Sequence, residues 1–291
     1  MNGQDAISSE DSMTSSQSRE ALFARTSDWL RSHPRLFVIT GAGISTASGI
    51  PDYRDHEGNW KRNPPVQHAD FMKQPACRQR FWARSLVGWP VMSRAQPNAA
   101  HRALADWEQR GKVELLVTQN VDGLHQKAGS QQVVDLHGRS ADIRCMSCGL
   151  LMPRDEHHQH MALLNPDYAA MRADTAPDGD ADLDGIDFSH FRVVDCPACN
   201  GILKPDVVFY GDHVPRERVD RSFAALEAAN GVLVIGTSLM VFSSFRFCRR
   251  AHELGKPMIA INMGKTRADD LLHFKLPLAA DLALPQLSSG L

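Results

Sequence analysis

Four short apolar runs, each breaking off into polar residues, constrain this chain more than any other feature. They are 35–43 (RLFVITGAG), 113–122 (VELLVTQNVD), 231–239 (GVLVIGTSL) and 257–264 (PMIAINMG). Continuous and β-branched rather than alternating, they read as strands buried on both faces, as in a parallel sheet. Helix-like stretches lie between them at 98–112, 219–231 and 242–256, the last two closed by Gly231 and Gly255. Strand and helix in alternation predict an α/β chain built on a doubly wound, Rossmann-like parallel sheet. With 291 residues, 43% of them hydrophobic, the chain is long enough to bury a sizeable core.

In open parallel sheets, ligands bind beyond the carboxyl ends of the strands, where strand order reverses. The polar strand ends are therefore the candidate site. They are Gly41, Ala42 and Gly43; Gln119, Asn120, Val121 and Asp122; Gly236, Thr237 and Ser238; and Asn262, Met263 and Gly264. Together they predict a nucleotide crevice. The first of them departs from a dinucleotide fingerprint. Thr46 stands where the third glycine belongs, and the chain runs on into Pro51-Asp52-Tyr53-Arg54 instead of a second strand.

Two stretches, 51–97 and 138–204, interrupt the sheet pattern and read as insertions on its edge. The second holds Cys145-x-x-Cys148 and Cys196-x-x-Cys199, with 47 residues between the pairs. In a reducing compartment this pattern is a metal site, not a disulfide framework. Four thiolates close a tetrahedron around zinc and leave no open position, so the predicted Zn2+ is structural. Cys77 and Cys248 read as small core hydrophobes. The segment 180–187 (DADLDGID) begins like a calcium loop, but Phe191 sits where the bidentate glutamate belongs, so a solvated acidic loop is expected. His157, His158 and His160 are expected at the surface.

These boundaries divide the chain into a polar tail (1–20), a Rossmann-like domain (21–137 and 205–291, with 51–97 as a cofactor loop and helical insertion) and a small zinc-binding domain (138–204). The Ser-rich, acidic tail is expected to be disordered, and without a secretory pattern the default location is cytoplasmic. A formal net charge of −2 favours neither nucleic acid nor a membrane surface, and no apolar stretch approaches the roughly 18 to 20 residues of a membrane span.

The motifs GAGISTASGIPDYR (41–54), TQNVDGLH (118–125), LHG (136–138) before a Cys-x-x-Cys, LKPDVVFYGD (203–212), GTSL (236–239) and IN (261–262) occur in one order. In that order the chain resembles the sirtuins, NAD-dependent protein deacylases, over about residues 30 to 285. LVGWP (86–90) and APDGD (176–180) resemble the class II branch. The resemblance implies NAD+ as co-substrate and acylated-lysine proteins as partners, with nicotinamide, free lysine and O-acyl-ADP-ribose as products. It implies cofactor contacts from Gly41, Ala42, Gly43, Ile44, Ser45, Tyr53, Arg54, Gln119, Val121, Thr237, Asn262 and Ala280. Gly41 and Gly43 would bring backbone N–H groups to the pyrophosphate. Asn120 would hold the ribose and a water, Asp122 the nicotinamide carboxamide, and Tyr53 would shield the ribose C1′. His137 would be the base, since a neutral imidazole titrates near working pH.

Similarity also places the acyl-peptide along Val207, Val208, Phe209 and Tyr210, where a substrate backbone adds as a strand. Sirtuins that prefer acidic acyl groups carry a Tyr and an Arg three residues apart on a helix; the comparable pair here is Phe81 and Arg84. With the phenolic hydroxyl missing, desuccinylation is not expected, and the presence of Phe81 and Arg84 beside an apolar tunnel predicts that longer or branched acyl chains are tolerated better than acetyl. Rival readings are protein mono-ADP-ribosyl transfer, which shares the glycosidic cleavage, a zinc-containing dehydrogenase, and a non-enzymatic zinc ribbon. The broken fingerprint speaks against the second, and the acidic loop speaks against the third.

Overall fold

A computed structural model of the protein describes residues 5–61, 65–173, 180–183 and 185–290. In chain order its strands are β1 (Leu36–Thr40), β2 (Val113–Thr118), β3 (Val133–Asp135), β4 (Gly138–Cys145), β5 (Leu151–Pro153), β6 (Leu203–Val207), β7 (Gly231–Ile235), β8 (Met258–Ile261) and β9 (Phe274–Leu276). Helices α1 (Asp5–Ser32), α2 (His68–Lys73), α3 (Pro75–Arg94), α4 (Ala99–Gln109), α5 (Leu124–Lys127), α6 (Arg154–Leu164), α7 (Pro166–Ala169), α8 (Arg216–Ala228), α9 (Phe242–Glu253) and α10 (Ala280–Ser288) complete them. Among the described residues no helix is long and apolar enough to cross a membrane.

The larger sheet has six parallel strands in the order β3-β2-β1-β7-β8-β9. Every residue of β1 and β7 is buried, because alternate side chains face opposite layers of helix. Leu36 and Val38 pack toward α1, α4 and α10, whereas Phe37 and Ile39 pack toward α8 and α9. The four apolar runs thus form β1, β2, β7 and β8 as the sequence predicts. The three-residue β3 and β9 close the edges. Strand order reverses between β1 and β7, which fixes where a ligand crevice opens.

A second sheet, β5-β4-β6, is antiparallel and belongs to a smaller unit. Its core joins the cysteine-bearing strands to the helical insertion. Phe71 of α2 and Trp82, Ala83 and Leu86 of α3 pack with Ile143, Cys145, Met161, Phe191, Cys196 and Leu203. Packing therefore unites α2 and α3 with the zinc module, although the sequence suggested two separate insertions. The expected boundary after residue 204 also cuts through β6, which pairs with β4 as far as Gly138↔Val207.

Three expectations change. The tail expected to be disordered is helical from Asp5, because α1 is anchored at its far end by buried Trp29 and Leu30 and extends backward turn by turn. His157, expected at the surface, is buried with its ring 4.4 Å from that of Trp82. Asp180, expected in a solvated loop, is buried too. Residues 176–179 of the APDGD motif, and Asp184, lie outside the described residues. Cys248 is a core residue as expected, and Cys77 packs half-buried against the smaller core.

Candidate active site

At the strand-order reversal the loops after β1 and β7 lie against each other. Gly43 N–H donates to the Gly236 carbonyl (2.8 Å) and Gly41 N–H to that of Ile235 (3.3 Å). A Cβ on Gly43 would sit 2.9 Å from the Gly236 oxygen, and one on Gly236, at φ +57°, 2.5 Å from the Ile44 nitrogen. These glycines serve loop-on-loop contact. Close packing at Gly43 and Gly236 therefore leaves no room for a side chain, and Gly41 and Gly43 both line the cavity.

Side chains then lace the rim together. Gln119, at the end of β2, donates from Nε2 to Thr237 Oγ1 (2.7 Å) and accepts from Ser244 Oγ (2.9 Å). Asn120 Nδ2 donates to the Gly41 carbonyl (3.1 Å) and Ser45 Oγ (3.0 Å). Ser45 in turn donates to Asp122 Oδ2 (2.8 Å), whose other oxygen accepts from Leu124 N–H (2.9 Å). Burial raises the Asp122 pKa above the ordinary carboxylate value, and the Leu124 and Ser45 hydrogen bonds oppose that rise.

His137 lies where β3 passes into β4. Its Nδ1 is 3.0 Å from the Gln119 carbonyl oxygen and its Nε2 is 2.8 Å from Ser243 Oγ. A carbonyl only accepts, so Nδ1 carries the proton and Nε2 presents its lone pair. Burial pushes the His137 pKa down to about 4, partly opposed by the Gln119 bond and reinforced by Arg218 and Arg246. The ring is a neutral base at physiological pH.

Ser45, Gln119, Asn120, Asp122, His137, Thr237 and Ser243 open onto one cavity of about 770 Å³, within the range of small-molecule sites. Tyr53 and Arg54 form one wall. The Arg54 guanidinium lies 3.8 Å from the Trp60 ring centroid and donates to the Gly58 carbonyl (2.6 Å). A second wall is 207–210, anchored where Val208 N–H donates to the His137 carbonyl (2.8 Å). Buried Lys204 braces this segment: its Nζ donates to the Val207 carbonyl, lies 4.4 Å from the Phe209 ring and sits 3.6 Å from Asp212. Phe81 and Phe209 pack ring against ring at 5.3 Å.

The four cysteine sulfurs gather within 4.8 Å of one another, with Cys145–Cys199 at 3.5 Å and Cys148–Cys196 at 3.8 Å. Thiolates about 2.3 Å from a tetrahedral zinc would lie at such separations, so the residues fit that ion. The two knuckles match locally. Each pair is followed by a residue at positive φ, Gly149 (φ 76°) or Asn200 (φ 55°), whose N–H donates to the carbonyl of the first cysteine.

Compared with known protein families, residues 41–243 match the Sir2 family. The chain belongs to the Sir2 family. A relative from Bordetella bronchiseptica, named NAD-dependent protein deacetylase, is 57% identical over 255 residues, covering 88% of this chain and 93% of its own. One of the same name from Xanthomonas axonopodis pv. citri is 57% identical over 257 residues, covering 88% of each. A solved complex described as Sir2-p53 peptide-NAD+ superposes with a TM-score of 0.69 at 26% identity, over 90% of this chain and 95% of that one.

In this Sir2-family chain the cavity is lined by Gly41, Ala42, Gly43, Ser45, Tyr53, Arg54, Gln119, Asn120, Val121, Asp122 and His137 from the early motifs. Gly236, Thr237, Ser238, Asn262, Met263, Gly264, Ala280, Val207, Val208, Phe209, Tyr210 and Phe81 join them. Two expected residues fall outside. Ile44 turns its side chain into the core between α4 and α10. Arg84 turns away from the cavity, its Nε donating to the Ala181 carbonyl (2.9 Å). Sequence reasoning missed Ser243, Ser85 and Arg154 on the cavity wall. The spacing of Phe81, Ser85 and Trp89, four residues apart on one helical stripe, was the available signal for the second.

Proposed function

We propose that this chain is an NAD-dependent protein-lysine deacylase, converting an acylated lysine, NAD and one water to lysine, nicotinamide and O-acyl-ADP-ribose. The observation that carries the reading is the fixed tautomer of His137, its Nε2 lone pair facing a cavity that the Sir2-type strand ends and the 207–210 segment line together. NAD, when bound, supplies an electrophilic ribose carbon. Asn120, held by Gly41 and Ser45, and Asp122, held by Leu124, orient the nicotinamide riboside end. Tyr53 and Arg54 exclude water from that end. His137 Nε2 takes a proton from a ribose hydroxyl that replaces Ser243 as its partner, while Nδ1 keeps its own proton on the Gln119 carbonyl. The names of the Bordetella and Xanthomonas relatives support acetyl-lysine as one substrate.

Mass spectrometry of products from acetyl-lysine peptide and NAD tests this, with His137→Ala alongside. Nicotinamide and O-acetyl-ADP-ribose are expected from the wild type and a fall of at least a hundredfold in the variant, the usual span of a general base. ADP-ribose left on protein, with no free lysine formed, would replace this reading with mono-ADP-ribosyl transfer.

A further inference from the structure

Helix α9 begins at the edge of the cavity and carries a cationic cluster that the chemistry above does not use. His137 ties its first turn to the 207–210 wall: the His137 carbonyl accepts from Val208 N–H (2.8 Å), and its Nε2 lies 2.8 Å from Ser243 Oγ. An acylated lysine that leaves a backbone along 207–210 for this histidine therefore passes the start of α9. Phe242 and Arg246 line the same cavity as that wall. Phe242 is 46% exposed, and three guanidinium groups lie about its ring, Arg249 at 5.3 Å, Arg246 at 5.7 Å and Arg267 at 5.9 Å from the centroid. Arg267 is fixed in place, its backbone N–H donating to the Ser238 carbonyl (2.8 Å), one terminal nitrogen to the Met240 carbonyl (3.3 Å), and its plane 4.4 Å from the Phe245 ring.

These charges are poorly compensated. Among the described residues the one carboxylate paired with any of the three is Glu253, 3.7 Å from Arg249, and both side chains are at least half exposed, where such a pair is weak. Asp206 and Asp212, at the two ends of the wall, are already engaged by Arg144 (2.8 Å) and Lys204 (3.6 Å). Like charges held round one aromatic ring beside a substrate path favour an anion there. Helix geometry sets the reach. Arg246 and Arg249 follow Phe242 by four and seven residues on one face, a strip about 10 Å long. An extended peptide advances about 3.3 Å per residue, so side chains two or three residues from the acylated lysine come level with it. Resting on the deacylase reading above, we infer that Arg246, Arg249 and Arg267, gathered round Phe242, form a docking strip for acidic residues beside the acylated lysine. The favoured substrates are then proteins whose modified lysine lies in an acidic stretch. Because the strip leads away from His137 in one direction, it meets one flank of the lysine.

The test uses acetyl-lysine peptides of one otherwise neutral sequence. The second and third residues before the lysine, or the second and third after it, are Glu-Glu, Gln-Gln or Lys-Lys. Both kcat/KM with saturating NAD and Kd by calorimetry without NAD are measured. At one flank Glu-Glu is expected to improve both by at least about fivefold over Gln-Gln, through KM rather than kcat. That gain should shrink between about 50 and about 500 mM NaCl as screening shortens the reach of exposed charges. Arg249→Glu combined with Arg267→Glu should reverse the order at that flank in favour of Lys-Lys, while the Gln-Gln peptide keeps its rate. Equal values for the three peptides at both flanks of the wild type overturn the inference. So does an acidic preference that the double variant leaves unchanged, which would belong to the field of the whole molecule. If the double variant does not fold, Arg249→Gln on the exposed helix face decides: the gain should fall at least about twofold, and an undiminished gain overturns the inference. A Kd preference at one flank with no turnover of any acetylated peptide would support the strip and count against the deacylase reading.

Discussion

The proton on His137 Nδ1 is fixed by a carbonyl, so the acid–base behaviour of this residue reduces to one nitrogen. With a pKa of about 4 the ring is deprotonated through the whole neutral range, and it gains a proton only as pH falls through that value. The kcat/KM should therefore show no loss attributable to His137 between pH 8 and 5, and an acid limb only below about 5. A limb centred at the ordinary imidazole value of about 6.5 would show that the ring is not held in this state. His137 itself was legible in the sequence, through the LHG motif. Ser243 was not, since a serine one turn into a helix carries no pattern that marks it as the partner of a distant histidine.

At the level of elements, the strands and cysteine knuckles were legible because their signals are local. Apolar runs bounded by polar residues and paired Cys-x-x-Cys spacings need no tertiary context. What escaped depends on packing. His157 and Asp180 are polar residues that burial reclaims only once Trp82 and Arg154 are in place, and no periodicity announces that. Gly138 is the sharpest local requirement. It sits at φ +87°, opposite Val207 where β4 and β6 pair, and a Cβ there would fall 1.9 Å from the Asp206 carbonyl oxygen. Gly138→Ala should cost roughly 2 kcal/mol or more in urea unfolding and depress acyl-peptide turnover, because the strain enters one residue from His137. A variant with wild-type stability and rate would mean that the strand pairing yields freely.

For the molecule as a whole, two of the four clustered cysteines and the Phe81 and Phe209 side of the cavity share one core. Cys145 and Cys196 pack with Phe71 and Trp82, whose rings in turn contact Phe81. Metal removal by a chelator should therefore lower the thermal midpoint and abolish acyl-peptide turnover together, although no thiolate lines the cavity. Full activity in protein shown to be metal-free would separate the two. Acid should weaken the fold as well. His101 and His157 are buried and neutral, with pKa values pushed down by burial to about 4 and about 3. Their contribution is complete above the unfolded value of about 6.5 and is lost as pH falls toward those folded values, at up to about 1.4 kcal/mol per pH unit for each. Urea unfolding at pH 7 and pH 5 measures this, and equal midpoints would contradict it. A last consequence follows from the way β4 leaves the large sheet beside His137 and β6 returns to it beside Val208, each bonded to the other. Any displacement carried through this two-stranded stem would move the His137 and Val208 backbones as a pair, because the Val208 N–H is bonded to the His137 carbonyl.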